Sequence, residues 1–175
     1  ATIATFVFFE ILPHFPVGVS EVHFILGSTL FLIFGVAPAA FGLAAGLLIQ
    51  GLFFAPIDLP QYFMNLTSLL VPLFALSLIA KAVIAPKTAY VDLSYRQALM
   101  LSTSYQAGVV GWVAFWVFYG QGFGAETFAS VGLFGMAYMS VIILEPLVDL
   151  AVLALAKMMR DTPASGLIQQ RVYSA

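Results

Sequence analysis

Residues 128–158 read FASVGLFGMAYMSVIILEPLVDLAVLALAKM. No charged side chain interrupts residues 128–144, and Glu145, Asp149 and Lys157 are the charges in the remainder. About 20 consecutive apolar residues carry an α-helix across the hydrocarbon core of a bilayer. This stretch exceeds that, and it predicts a transmembrane helix that projects beyond the bilayer. The rest of the chain agrees. Of its 175 residues 62% are hydrophobic and 8% charged, whereas a soluble domain carries about 25% charged residues to cover its surface.

Upstream of this helix the same reading marks five more apolar segments, at about 97–119, 61–84, 39–54, 21–34 and 1–12. Residues 120–124 alternate glycines and read as a flexible turn. Residues 85–95, 55–60, 35–38 and 13–20 carry Pro, Gly and polar residues that punctuate the chain. The segment at 21–34 is short for a crossing and is expected to tilt. Pro72 lies inside the segment at 61–84 and is expected to kink it, which membrane helices tolerate where neighbours satisfy the freed carbonyl. The fold class is therefore all-α, a polytopic transmembrane bundle of about six helices forming one domain over 1–175, with a polar tail at 160–175. The first residue, Ala1, already stands in an apolar run, so the chain is expected to be incomplete at its N-terminus.

Cysteine is absent, which removes disulfides, Cys-ligated zinc and iron–sulfur clusters. The net charge of -2 and the lack of a basic run give no nucleic-acid partner. All six basic residues flank one side of the expected bundle. Lys81, Lys87 and Arg96 border the loop at 85–95, and Lys157, Arg160 and Arg171 follow the last segment. The positive-inside rule places that side, and the C-terminus, in the cytoplasm. Glu10, His14, Glu21, His23 and Asp58 then fall on the outer side. Trp112, Trp116 and Tyr119 fit an aromatic belt at that boundary. Gly42-Leu43-Ala44-Ala45-Gly46 is a GxxxG pattern, read as close helix packing within the chain.

Function must come from the polar residues kept in the bilayer, because ionisable groups there are costly and usually face a cavity. Glu10, His14, Glu21 and His23 form the densest cluster. Imidazole with carboxylate suits first-row divalent metals; capping and interfacial solvation are the alternative. Glu10 and His14 share a face if the first helix continues through Pro13. Gln50, Asp58, Gln61 and Asn65 surround the next outer loop and either line a cavity or bond between helices. Glu145 and Asp149 lie one turn apart in the last segment. They read first as a structural element or a contact to a partner subunit, then as an ion pair with Lys81 or Arg96, or as a proton or cation relay.

The run Pro16-Val17-Gly18-Val19-Ser20-Glu21-Val22-His23, followed by Gly27, Gly35, Gln50, Phe54 and Asn65, resembles the CbiM/NikM family. These are membrane substrate-specific components of energy-coupling factor (ECF) transporters for cobalt and nickel. The resemblance is clearest over residues 16–72. It implies that His23 is a metal ligand. Taken with the polar residues above, the expected metal residues are His23 and His14, and the expected cavity-lining residues are Glu21, Gln50, Asp58 and Asn65. It also implies a divalent metal as substrate, and ATPase subunits and a coupling membrane subunit as partners in the inner (plasma) membrane. The chain itself would catalyse nothing. The family's N-terminal Met-His-Ile ligand segment has no counterpart in these residues. The Gly18–His23 spacing is one residue longer than the family's, and Pro56-Ile57-Asp58 stands where the family has Asp-Gly-Gly. A structural or assembly subunit that retains the transporter fold is the rival reading. An intramembrane enzyme using the His and Glu cluster ranks below both.

Overall fold

Five of the six apolar segments form helices over most of their length, and the second does so only in its last part. The computed structural model describes residues 1–10, 14–17, 20–161 and 170–173. Helix α1 covers Thr2–Glu10, α2 Gly27–Phe34, α3 Val36–Phe53, α4 Tyr62–Val83, α5 Tyr95–Gln121 and α6 Ala125–Met158. A short α7, Gln170–Tyr173, lies in the C-terminal tail. Strands β1 (His14–Val17) and β2 (Ser20–His23) precede α2 and pair antiparallel. Short 3-10 segments at Pro56–Gln61 and Tyr90–Asp92 occupy the α3–α4 and α4–α5 loops. The all-α bundle read from the sequence is what the structure shows.

Val36–Phe53, Pro56–Val83 and Ala125–Met158 are long and apolar enough to cross a membrane. Large apolar side chains point outward along them, among them Phe41, Phe63, Leu78, Met136, Ile143 and Leu147. Water would oppose such a surface, and acyl chains suit it. Polarity is concentrated inside instead: Ser28, Ser102, Gln106, Glu145 and Asp149 are fully buried.

Packing follows the small residues. α1 lies along α3, where Gly42 meets Ala1 and Gly46 meets Thr5. A Cβ at either glycine would stand 2.5 Å from its neighbour. The GxxxG pattern thus serves packing within the chain. Gly35, at φ 90°, adopts a conformation that side-chain-bearing residues avoid, and it turns α2 directly into α3. α4 runs unbroken past Pro72, which is buried against Gly108 of α5. α5 starts in a capping box. The Ser94 hydroxyl accepts from Gln97 N–H at 3.2 Å, and Gln97 Oε1 accepts from Ser94 N–H at 2.9 Å. The Gln97 amide also donates to the Val83 carbonyl at 2.8 Å, which joins the end of α4 to the start of α5.

The second segment is where the structure departs most from the sequence reading. Residues 20–23 are strand, 24–26 are irregular, and α2 has 8 residues, a rise of about 12 Å. It is too short to span a bilayer alone, and the segment read as one tilted helix combines a hairpin strand, an irregular link and a short helix. The tail also differs from a solvated strand of polar chain: Val172 of α7 is buried, and α7 packs against the 3-10 turn at Tyr90–Asp92. Residues 162–169 of that tail lie outside the described residues.

Candidate functional site

Side chains alternate faces along a strand, so Glu21 and His23 of β2 share one face. The hairpin register pairs His14 with His23, and Pro16 with Glu21. The two histidines singled out in the sequence are therefore cross-strand neighbours by register; the His14 side chain lies outside the described residues. This corrects one expectation. Glu10 and His14 do not share a helical face, because α1 ends at Glu10 and His14 is in a strand. Proline lacks the N–H a helix needs and disfavours helical geometry before it, and Pro13 stands between the two residues in the sequence. His23 is half-buried, and its ring stands edge-on to Phe9 of α1 at 5.0 Å between centroids and 86° between planes.

The hairpin roofs a cavity of about 680 Å3. Its walls come from β2, the ends of α3 and α5, the 3-10 turn at Pro56–Gln61, the first turns of α4, and α6. Glu21, His23, Gln50, Asp58 and Asn65 all line it, with Tyr138 of α6 deeper in. Residues from five separate elements thus meet around one space. Their chemistry is mixed imidazole nitrogen, amide oxygen and carboxylate oxygen, a donor set that suits a first-row divalent ion better than a soft thiophilic one. Among the described residues no three His, Asp or Glu side chains gather closely enough to hold a metal.

Glu145 and Asp149 lie elsewhere, inside the bundle behind the cavity. Both are fully buried, so neither is placed on a surface where a partner subunit could touch it. Glu145 Oε1 accepts from the Ile25 N–H, and from the Leu26 N–H at 3.1 Å. Its Oε2 accepts from the Gln106 amide, whose own oxygen accepts from the Tyr138 hydroxyl at 3.0 Å. Asp149 accepts from the hydroxyls of Ser28, at 2.5 Å, and Thr29. Among the described residues neither acid pairs with Lys81 or Arg96. Arg160 instead pairs with Asp92. Backbone and hydroxyl donors replace a cation here. The sequence signal for this network was the cost of an acid in an apolar helix. Its partners, two peptide N–H groups, carry no residue-type signature.

The opposite end of the bundle gathers the basic side chains. Lys81 lies in the last turn of α4, Arg96 in the first turn of α5 and Lys157 in the last turn of α6, with Arg160 just beyond it. The Lys157 ammonium donates to the Val91 carbonyl at 2.7 Å and sits 5.5 Å over the Tyr95 ring. Tyr90, in the loop between α4 and α5, is buried there, and burial with Asp149 nearby holds its phenol well above the usual range.

The model of one protein family, described as the cobalt uptake substrate-specific transmembrane region, matches residues 1–162. No curated protein and no solved structure matches the chain. The match covers the hairpin, the cavity and all three candidate membrane spans. It makes the chain a membrane component of a cobalt uptake system. The chain belongs to CbiM, the cobalt uptake substrate-specific transmembrane family.

Proposed function

We propose that this chain is the substrate-binding membrane component of an ECF-type ABC transporter that takes up divalent cobalt or nickel. The observation that carries the reading is the cavity under the hairpin, where His23 faces the same space as Glu21, Gln50, Asp58 and Asn65. His23 and its register partner His14 supply nitrogen donors. The amides and carboxylates offer oxygen to the ion or to water that remains bound to it. The metal is cargo, so the site must release it as well as bind it, and a half-buried position at the mouth of a bundle suits both.

The chain acts as one transmembrane unit in the plasma membrane. Its basic end, with the C-terminus, faces the cytoplasm, as the asymmetry of Lys and Arg implies. ATPase subunits and a coupling membrane subunit engage that end and supply the energy. Uptake of radioactive cobalt by cells that lack their own importer tests this reading. Cells that express the chain with its ATPase and coupling subunits should accumulate cobalt, and His23→Ala should abolish the gain. Co-purification with those subunits without any cobalt uptake would favour the structural subunit instead.

A further inference from the structure

The link between β2 and α2 presents a physical problem. Residues 24–26 are neither helix nor strand, yet Ile25 and Leu26 are buried in an apolar bundle. Non-helical backbone at membrane depth persists only where protein groups satisfy its N–H and C=O groups. Leu26 adds a second demand. Its φ of 50° and ψ of 32° are left-handed, a region that residues with a side chain rarely occupy and that lasts only where the surroundings enforce it. This conformation bends the strand carrying His23 into α2.

Glu145 meets both demands. One of its oxygens accepts from the Ile25 and Leu26 N–H groups, and the other is held by Gln106, which is held in turn by Tyr138. One turn on, Asp149 takes the Ser28 and Thr29 hydroxyls at the start of α2. Gly27, between the two anchored pairs, lies under Tyr105 so closely that a Cβ would stand 2.3 Å from the ring. The segment from Ile25 to Thr29 is therefore fixed to α6 from one side and to α5 from the other. His23 is two residues upstream of the first anchored peptide group. The cavity walls include His23, Ile25 and Tyr138 but neither Glu145 nor Gln106, so these two act on the cargo through the groups they hold, Glu145 through the Ile25 and Leu26 peptide groups.

We propose that Glu145 is the positioning residue of the cargo site, setting where the His23 imidazole stands by clamping the Ile25 and Leu26 peptide groups. The inference rests on the cobalt reading of the cavity. The Gln106–Tyr138 chain supports the carboxylate from behind.

The test is Co2+ binding by the purified full chain, followed by titration and by the visible ligand-field spectrum of the bound ion. Glu145→Leu leaves two peptide N–H groups without an acceptor. Affinity should fall about tenfold to 100-fold, as when a supporting group behind a metal ligand is lost. The spectrum of the ion that still binds should change, because His23 is displaced. Glu145→Gln keeps an oxygen for the two N–H groups, and a flip of the Gln106 amide restores its partner, so this variant should stay within about threefold of wild type. Where Glu145→Leu does not fold, Gln106→Met decides, with a smaller loss and the same change in spectrum.

Wild-type affinity and spectrum in Glu145→Leu, or in Gln106→Met where it stands in, would overturn the proposal. So would weaker binding with an unchanged spectrum, which would mean general damage to the fold. Failure of Glu145→Gln to rescue would also overturn it, because the charge rather than the hydrogen bonds would then matter. A wild-type chain that takes up no cobalt would sink the cargo reading itself, and the positioning role with it.

Discussion

Substituting Gly46 by alanine adds a single methyl group at a close approach between α1 and α3. That carbon would stand 2.5 Å from Thr5 Cγ2 and 2.7 Å from Thr5 Cβ. Ordinary contact begins near 3.4 Å, so α1 must retreat by about 0.9 Å at this turn. The obstruction is a β-branched side chain on a helix, whose rotamers are restricted, and Thr5 is itself fully buried. Overpacking of this kind costs about 1–3 kcal/mol. For a chain of this size that corresponds to a fall of about 2–12 °C in melting temperature. Thermal unfolding in detergent, followed by circular dichroism, measures it. Two companion variants sharpen the result. Gly111→Ala places its methyl where nothing lies within 4 Å and should melt like wild type. Thr5→Gly removes both clashing carbons and should restore much of the loss in Gly46→Ala. Equal melting of Gly46→Ala and wild type would show that α1 does not pack on this face of α3. Phe9 would then no longer be held against His23 as described.

Three further outcomes follow from single contacts. Trp112 and Trp116 are the protein's two tryptophans, and both indole N–H groups donate to the Thr67 hydroxyl, at 3.2 and 2.9 Å. Thr67→Val should therefore shift the intrinsic fluorescence emission, and an unchanged spectrum would contradict the contact. Ser94→Ala removes the cap of α5 and should cost about 1 kcal/mol in a denaturation assay; a change too small to measure would mean that the capping box is not formed. Arg160→Ala breaks an ion pair whose side chains are 44% and 52% exposed. It should change stability by less than about 1 kcal/mol, and a larger loss would mean that this pair is a main support of the loop between α4 and α5.

Hydropathy made α1, α3, α4, α5 and α6 legible because lipid contact demands long apolar runs whatever the detailed packing. The same property hid the hairpin. Between His14-Phe15-Pro16-Val17 and Ser20-Glu21-Val22-His23 stands Gly18-Val19, two short strands around a glycine-containing pair, which is a hairpin pattern. In an apolar chain, residues 21–34 look continuous, and continuity favours reading one tilted helix. His23, Gln50, Asp58 and Asn65 could be singled out because each is polar where polarity is costly. That they border one cavity was not legible, since it depends on how the hairpin, the 3-10 turn and three helices meet. Glu145 was conspicuous for the same cost, but its role was not. The cost of a buried carboxylate is met here by backbone N–H groups, which every residue but proline possesses and no sequence pattern advertises. The capping box at Ser94 and Gln97, by contrast, stood in the sequence as a Ser-x-x-Gln spacing.

Equilibrium titration of Co2+ into the purified chain, with His23→Ala beside the wild type, addresses the central claim most directly. The wild type should bind one Co2+ per chain. The variant should lose more affinity than the ~10–100-fold typical of supporting groups behind a ligand, while its melting temperature stays close to that of the wild type. A wild-type chain that binds no cobalt, or a variant that binds it equally well, would contradict the account.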